Sequence, residues 1–582
     1  MKNTNPIFSL KNFRSFGEEG ADFELAPITV LTGRNSSGKS SMVKALILLS
    51  KQLPLYTKVS GKIIRFINNI PQYILGKPVI ERLKPTEGFN VSFEELGLGN
   101  FDKILNQYAK NGEMILSYQI WSEYLQEYVM VKRTFEAHQG ILNEGRLLNF
   151  SIEKLDGTPI WRYFWDGGKW GEYYSLDTIS DKCNKLIVAA EYFDREREVE
   201  DCTEIYQKMK YEVEKKGLVT IPTVGGDSVP ADDYLRKSKR ELDDMVERKQ
   251  YLEKKYGKDK VEEYCLKLGE KIMNDWTNRF FPYHELKNGK TDVDNVERLK
   301  ETHGIERIQS NFINFVINEC VAPWFVCDVA YIDSSSAIVK RLHTVKGDNK
   351  MCVALGQMAN DGTTKDYVET GDFVNKWLKE FEIADKIRVY PAPEGIGVMV
   401  YCVKGEGENE VKRLLADEGY GITQLVSLFL QIENYIKKHD VNKTRLDDFF
   451  ATESEKNKYQ VVHSRYLIAI EEPEIHLHPA YQSKLADMFV EAYQIYNIHF
   501  IIETHSEYLI RKLQVLVADK ENELTPNDVS LNYVDKDESG ISTNRKIGIR
   551  EDGSLDGTFG KGFYDEADSL AMELFRRKPI LS

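Results

Sequence analysis

The sequence contains few cysteines, and none of them are arranged as a CxxC pair. The seven cysteines stand singly and are odd in number, which argues against a disulfide scaffold or a zinc ribbon and favours a reducing compartment. Long apolar runs are also missing. The longest extends from Val398 to Val403, far short of the roughly 20 residues of a membrane span, and the N-terminal segment lacks the apolar core of a secretory signal. These absences predict a cytoplasmic protein without a membrane partner.

An excess of positive charge is likewise absent. The chain has 78 Lys and Arg against 92 Asp and Glu, a net charge of -14, so any surface for DNA or RNA must be a local basic patch. With 582 residues, of which 42% are hydrophobic and 29% charged, the chain is too long for one small domain and too apolar for wholesale disorder.

A glycine-rich segment follows the β-branched run from Ile28 to Leu31 and precedes a helical pattern that begins near Ser40. It matches G-x-x-x-x-G-K-[ST], in which glycines let successive backbone N–H groups converge on phosphate oxygens. In this pattern Lys39 reaches the β- and γ-phosphates, and the Ser40 hydroxyl binds Mg²⁺. The sequence therefore predicts ATP and Mg²⁺ as cofactors. The predicted nucleotide-binding residues are Gly33, Asn35, Ser36, Ser37, Gly38, Lys39, Ser40 and Ser41.

A second apolar run, from Tyr466 to Ile470, ends in the acidic pair Glu471 and Glu472. Carboxylates at the end of a buried strand project to the edge of the sheet where α/β proteins bind ligands. We expect Glu471 to hold Mg²⁺ through water, and Glu472 to orient or deprotonate the attacking water. The run from Phe500 to Ile502 repeats the pattern, and we expect the nearby His505 to contact the γ-phosphate.

A glycine-containing loop at 416–424 leads into an amphipathic helix that carries Leu425, Leu428 and Phe429. A flexible turn before a helix N-terminus is a second anion cradle, although the sequence alone does not assign it to the same nucleotide. Its candidate nucleotide-binding residues are Gly419, Gly421, Thr423 and Gln424.

The composition shifts between about 195 and 300, where Lys and Glu are abundant. Apolar residues between Leu235 and Tyr256 recur at a/d-like spacing over about three heptads, which predicts a helical hairpin or a short coiled coil. The mixed charges favour a solvated helix surface, and a partner or DNA platform is the alternative. The densest basic cluster of this region is Arg236, Lys237, Lys239 and Arg240.

The phosphate loop, the glycine-containing loop, the acidic pair and the His motif together resemble ABC-type ATPase heads of the SMC and OLD (overcoming lysogenization defect) kind. Many such chains are described as AAA-family ATPases. The resemblance covers roughly residues 1–120 and 385–582. It implies a head-to-head homodimer, with higher oligomers left open, that buries two nucleotides between subunits.

Under this resemblance the phosphate loop, the acidic pair and His505 act from one subunit, and the loop at 416–424 takes the place of the ABC signature. It would cap the γ-phosphate bound to the other subunit, and the segment from His476 to Pro479 would be the D-loop. The sequence departs from the family pattern, since the loop is not a literal LSGGQ, the metal acid is Glu471 where Asp is usual, and no Q-loop glutamine is assigned.

The predicted fold class is α/β, a P-loop ABC-type ATPase head with a helical, short coiled-coil insertion. We expect residues 1–190 to form the N-terminal part of the head with the phosphate loop, and residues 191–320 to form the helical, charged insertion. Residues 321–582 would form the C-terminal part with the signature-like loop, the acidic pair and the His motif.

The resemblance also suggests a partner. Several OLD-family chains carry a Toprim nuclease after the His motif, and the C-terminal segment here resembles that of Toprim-less members. Septu-type and retron-associated anti-phage ATPases are similar in layout and work with an HNH nuclease, so we expect nucleotide-dependent dimerisation to regulate such an effector in anti-phage defence.

Two other functions remain open, an SMC- or repair-like DNA-binding clamp and a self-contained nuclease or toxin. A clamp needs longer coiled-coil arms than about three heptads provide. His476 and His478 have a spacing suited to a metal pair, but no third ligand is evident.

Overall fold

The computed structural model describes residues 5–52, 88–175, 228–259, 367–392, 397–449 and 466–560, apart from 94–95, 111, 123 and 139, with short pieces within 66–71, 199–222, 313–333, 343–344 and 563–577. Its helices are α1 (Lys39–Gln52), α2 (Phe101–Ile104), α3 (Ala231–Tyr256), α4 (Asp372–Glu380), α5 (Tyr420–Phe449), α6 (Pro479–Tyr496), α7 (Glu507–Ala518) and α8 (Glu566–Arg577). Its strands are β1 (Ile7–Lys11), β2 (Ala21–Glu24), β3 (Ile28–Gly33), β4 (Phe66–Ile67), β5 (Ile70–Pro71), β6 (Gly88–Asn90), β7 (Glu113–Ser122), β8 (Glu127–Ala137), β9 (Glu144–Lys154), β10 (Pro159–Trp165), β11 (Trp170–Tyr174), β12 (Thr220–Pro222), β13 (Ser228–Pro230), β14 (Val329–Ile332), β15 (His343–Thr344), β16 (Val368–Glu369), β17 (Lys386–Pro391), β18 (Gly397–Lys404), β19 (Val411–Leu414), β20 (Tyr466–Glu471), β21 (Ile498–Glu503), β22 (Val529–Lys536) and β23 (Ser542–Ile547).

A six-stranded sheet forms the centre of the described chain, with the strand order β14-β20-β21-β3-β22-β23. The first five strands are parallel, and β23 pairs with β22 in the antiparallel direction. Since parallel strands end at the same edge of a sheet, the end of β3 lies beside those of β20 and β21. This order brings together segments that are more than 400 residues apart in the sequence.

The central sheet is apolar on both faces, and its strands alternate between two cores. Along β3, Leu31 packs into one core while Ile28 and Val30 pack into the other. Along β21, Ile501 belongs to the first core and Ile502 to the second. This is the period of two expected for strands buried on both sides, and it explains why these runs are almost continuously hydrophobic.

An antiparallel sheet lies against the first face of the central sheet and shares its core with α1. Its strand order is β11-β10-β9-β8-β7-β1-β2, with β6 paired to β9. The prediction of antiparallel strands over residues 87–180 is confirmed from β6 to β11, and residues 176–180 lie outside the described part. Trp161, Tyr118 and Phe150 are among its largest fully buried side chains.

A smaller antiparallel sheet belongs to the second face, where α4, α5, α6 and α7 also pack. It contains β17 and β18, which pair along their length, so the predicted hairpin of Ile387–Tyr390 with Val398–Val403 is confirmed. The amphipathic helix predicted after the glycine-containing loop is also confirmed, because Leu425, Leu428 and Phe429 of α5 are buried in this core.

The helical prediction around Leu235 to Tyr256 is confirmed by α3, and the rest of the proposed insertion lies largely outside the described residues. In the basic cluster, Arg236 forms an exposed ion pair with Asp233 one turn away, as on a solvated helix surface. None of the described helices is both long enough and apolar enough to cross a membrane.

Candidate functional site

The glycine-rich segment forms a tight turn between β3 and α1, and its glycines are required by the backbone. Gly33 has a φ of +134°, and a Cβ there would lie 1.9 Å from the Val534 carbonyl oxygen. Gly38 has a φ of +114°, and its Cβ would lie 2.9 Å from the hydroxyls of Ser15 and Ser542. The neighbouring strands therefore hold the turn closely, with the α1 N-terminus at its end.

A Gly33→Ala substitution should strongly destabilise the protein. Its Cβ would overlap a backbone oxygen in the central sheet, and its φ lies in a region that alanine rarely adopts, so we expect a loss of at least about 3 kcal/mol. Gly168→Ala is the matched control, because that Cβ would meet nothing within 4 Å. Thermal unfolding of both variants measures the effect, and an unchanged midpoint for Gly33→Ala would contradict this account of the turn.

Lys39 is the first residue of α1, and its ammonium group is buried in the turn. It donates hydrogen bonds to the carbonyl oxygens of Gly33 and Arg34, at 3.2 and 3.0 Å. Its Nζ also lies 3.8 Å from Glu503 Oε1. Burial lowers the pKa of Lys39, and the charge of Glu503 acts in the opposite direction. A cation at this position suits the phosphates of a nucleotide.

An open cleft of about 530 Å³ extends from the turn to the ends of β20 and β21. It brings together the predicted nucleotide-binding residues of the phosphate loop, of which only Gly33 is absent from its lining. The lining residues of the phosphate loop are Asn35, Ser36, Ser37, Gly38, Lys39, Ser40 and Ser41. Glu472 and His505, predicted from distant motifs, line the same cleft.

Sequence reasoning missed five further lining residues, Arg14, Ser15, Lys44, Glu503 and Lys536. Arg14 follows β1 and Lys536 ends β22, so their positions depend on sheet order, which no local motif reports. Glu503 stands two residues before His505 at the end of an apolar run, and this is the same pattern that predicted a site role for Glu471 and Glu472. The added cations make the cleft more suitable for a polyanion.

The β20 end turns sharply, which directs Glu472 toward His505. Glu472 has a φ of +47°, and its backbone N–H donates to the Glu503 carbonyl oxygen at 2.7 Å. One Glu472 carboxylate oxygen lies 3.8 Å from His505 Nε2. Burial, together with nearby Lys39, lowers the pKa of His505, which favours its neutral form.

Glu474 ties this turn to the His motif. Its Oε1 accepts a hydrogen bond of 2.7 Å from the His505 backbone N–H, and the Thr504 side chain lies beside the carboxylate. Burial raises the pKa of Glu474, and these contacts act in the opposite direction. Sequence reasoning gave Glu474 no role, although it stands directly after the acidic pair and Pro473.

The two strand-end glutamates have different neighbours. Glu471 Oε1 accepts a hydrogen bond of 2.7 Å from the Tyr331 hydroxyl, and Glu471 does not line the cleft. Glu503, opposite Glu471 in the β20–β21 register, lies beside the Ser40 side chain. Burial raises the pKa of both carboxyls, and that of Glu503 reaches about 7. The metal role predicted for Glu471 stays a prediction.

The raised pKa of Glu503 should make stability depend on pH. The unfolded chain releases this proton near 4.5 and the folded chain near 7, so the Glu503 contribution to the free energy of unfolding falls as pH rises through that window. We expect Glu503→Gln to be more stable than the wild type at about pH 8, with a smaller difference at about pH 5.5. Thermal unfolding at both pH values measures this, with the partly exposed Glu507→Gln as the control. A pH-independent difference would contradict it.

The signature-like loop lies outside the cleft, at the start of α5. Thr423 Oγ1 donates to the Tyr420 carbonyl oxygen, and Gln424 Nε2 donates to the Glu472 carbonyl oxygen at 3.1 Å. A Cβ on Gly421 would lie 2.8 Å from the His476 carbonyl oxygen, so the signature-like loop lies against the D-loop candidate. A Cβ on Gly419 would meet nothing within 4 Å. None of these four predicted residues lines the cleft.

His476 and His478 make separate contacts. His478 Nδ1 accepts a hydrogen bond from the Ala480 backbone N–H and caps α6, while the His476 ring packs edge-on against Tyr420. Within the described ranges, no group of three or more His, Cys, Asp or Glu residues is arranged to hold a metal ion.

Comparison with protein families gives a match over most of the chain. Residues 7–510 match the family of the AAA ATPase domain. Residues 524–574 match a family described as a protein of unknown function (DUF3696). No curated protein matches the chain.

Solved structures similar to the chain include SMC head domains. One is the SMC head of Pyrococcus furiosus with an extended coiled coil, bound to the C-terminal domain of ScpA; it is 11% identical, with a TM-score of 0.30, over 98% of this chain and 100% of that one. Another is the SMC head domain of Thermotoga maritima, which is 10% identical with a TM-score of 0.28, over 93% of this chain and 98% of that one.

Proposed function

We propose that this chain, which belongs to the family of the AAA ATPase domain, binds ATP with Mg²⁺ and hydrolyses it to ADP and phosphate. One observation carries the proposal: a buried lysine in a phosphate-loop turn, an acidic residue and a histidine line a single cleft although they come from three separate segments. A phosphate loop alone supports binding. The added Glu472 and His505 supply groups that act on water and phosphate.

In the proposed reaction Lys39 pairs with the β- and γ-phosphates, and the turn N–H groups bind the oxygens beside it. Glu472 orients the attacking water and accepts its proton, and neutral His505 donates a hydrogen bond to the γ-phosphate. Glu474 is a positioning residue, since it bonds the His505 backbone rather than the reacting atoms. Lys536 and Arg14 add positive charge to the rim of the cleft.

The chemistry of the donor groups fits Mg²⁺. The Ser40 hydroxyl and the carboxylates of Glu471 and Glu503 are hard oxygen ligands, and Mg²⁺ in such sites is held by one or two carboxylates together with the phosphates. When bound, the ion neutralises charge on the transferred phosphoryl group.

The second part of the proposal is a nucleotide-dependent homodimer. The signature-like residues lie away from the cleft of their own chain, and they share a surface with the D-loop candidate through the contact of Gly421 with His476. This arrangement suits a loop that caps a nucleotide bound to a second copy. Gln424 would then connect that nucleotide to the Glu472 backbone of its own chain.

The third part is regulation of an effector, with an HNH nuclease in anti-phage defence as the specific candidate. It rests on the resemblance to OLD-type ATPases and on exposed apolar side chains of α8. Leu570, Met572 and Leu574 are each at least 51% exposed. Leu570 and Leu574 lie one turn apart on the same face of this helix, and exposed apolar side chains on one face suit a protein contact.

The proposal is tested with the purified full chain. We expect ATP hydrolysis that needs Mg²⁺, and a doubling of mass by light scattering when a non-hydrolysable ATP analogue is added. No phosphate release under any condition would overturn the ATPase, and a constant mass would overturn the dimer. If a co-expressed HNH nuclease is equally active with and without ATP, effector regulation is wrong. Strong stimulation of hydrolysis by DNA alone would favour the clamp.

A further inference from the structure

We infer that Glu503 supplies a carboxylate to the Mg²⁺ ion of the nucleotide site, together with the Ser40 hydroxyl, and that Glu471 is held away from this role by Tyr331. The inference rests on the proposed ATPase function and deepens it. It assigns the metal to a residue of β21, the strand next to the phosphate-loop strand, whereas the sequence pattern predicts that the acidic pair of β20 holds it.

The position of Glu503 carries the first part of the argument. Glu503 is the last residue of β21, the strand that pairs directly with β3 and therefore ends beside the phosphate loop. Its carboxylate lies beside the Ser40 side chain, and Oε1 lies 3.8 Å from Lys39 Nζ. Glu503 is thus close to both phosphate-loop side chains that are expected to act on the terminal phosphates.

The second part is an unsatisfied oxygen. The Glu503 side chain is 7% exposed, and its Oε2 is buried without a hydrogen-bond partner among the described residues. A buried carboxylate oxygen without a partner is costly, because it has lost its hydration. Glu503 also faces the repelling charges of Glu471 and Glu472. A divalent cation in the cleft would be coordinated by Oε2 and would offset this repulsion.

The surroundings of Glu471 differ in each of these respects. Its strand lies one place further from β3, and neighbouring strands are about 4.8 Å apart. Its Oε1 accepts a hydrogen bond from the hydroxyl of Tyr331, a residue that is itself only 3% exposed. Glu471 does not line the cleft. Glu471 is therefore a positioning residue in this arrangement, one that fixes the end of β20 from which Glu472 projects.

The test measures ATP affinity with and without Mg²⁺ by calorimetry, and Mn²⁺ binding by electron paramagnetic resonance, in the full chain. We expect Glu503→Gln to bind metal-free ATP as well as the wild type or better, since a negative charge near the phosphates is removed. We also expect the gain in ATP affinity on adding Mg²⁺ to be at least about tenfold smaller in this variant than in the wild type, and the signal of protein-bound Mn²⁺ to be lost. A merely structural role would weaken binding under both conditions.

Three further variants sharpen the comparison. Glu507→Gln, four residues along at the start of α7, is the matched control and should keep the wild-type Mg²⁺ dependence. Glu503→Asp keeps the carboxylate and should retain part of the Mn²⁺ signal even where Glu503→Gln has lost it. Glu471→Gln should retain more of the Mg²⁺ dependence than Glu503→Gln.

The result that overturns the inference is a Glu503→Gln variant that folds, binds metal-free ATP and keeps the full Mg²⁺ enhancement, above all if Glu471→Gln has lost it. Failure of the proposed function looks different, because the wild type itself would then bind no ATP, or would bind it without any effect of Mg²⁺.

Discussion

The Glu472→Gln variant is expected to lose ATP hydrolysis by roughly two to four orders of magnitude while keeping its affinity for ATP. Glutamine has the shape of glutamate but cannot accept the proton of the attacking water. The carboxylate is about one-third exposed and lies 3.8 Å from His505 Nε2, so it is accessible to water in the cleft.

The contacts of Glu472 separate the role of its carboxylate from that of its backbone. Its backbone supplies the contacts that hold the turn, through the N–H bond to Glu503 and the carbonyl bond to Gln424. Both contacts persist when only the carboxylate is changed. The side chain can therefore be altered while the geometry of the phosphate loop and of the His motif is retained.

The measurement is phosphate release under single-turnover conditions, beside equilibrium binding of ATP. If the proposed dimer is correct, ATP should also hold the Glu472→Gln chain as a long-lived dimer, which light scattering detects. Glu507→Gln should hydrolyse ATP at the wild-type rate. Wild-type hydrolysis by Glu472→Gln would contradict its role as the base and would direct attention to Glu503, the other acidic residue that lines the cleft.

The glycine-rich turn between β3 and α1 could be predicted from sequence because its requirements are local. The turn needs glycine where a positive φ coincides with close neighbours, and Gly33 and Gly38 meet this need within a segment of eight residues. The apolar runs of β3, β20 and β21 predict buried parallel strands, and the polar residues that follow each run predict a shared site at one edge of the sheet. Glu472 and His505 could therefore be placed in one site although the chain between the turn and them is long.

The rest of the cleft could not be predicted in this way, because it depends on tertiary neighbours. Lys536 comes to the phosphate loop through the pairing of β22 with β3, and Arg14 through the turn that follows β1. The metal role of Glu471 was predicted from its place at the end of an apolar run, a pattern that does not reveal the hydrogen bond from Tyr331 of β14 to Glu471. The preference for Glu503 over Glu471 emerges only when strand order and side-chain partners are known.

The Lys39→Ala variant should bind ATP on the order of 100-fold more weakly, which corresponds to about 2.7 kcal/mol of binding free energy. Lys39 is 3% exposed, and its ammonium group is surrounded by the carbonyls of the turn and by Glu503. Removing it takes away the buried cation of the site and leaves Glu503 to repel the phosphates. Lys536→Ala, which removes an exposed cation from the rim of the same cleft, should cause a much smaller loss.

A double variant separates these two causes in the Lys39→Ala result. If the missing ammonium group is responsible, Lys39→Ala combined with Glu503→Gln should bind metal-free ATP far more weakly than Glu503→Gln alone. If repulsion by an unpaired Glu503 is responsible, the double variant should recover the affinity of the wild type, and direct pairing of Lys39 with the phosphates would be contradicted. Calorimetry on variants whose thermal unfolding matches the wild type makes the comparison, since Lys39 also offsets the charge of a buried carboxylate in the absence of nucleotide.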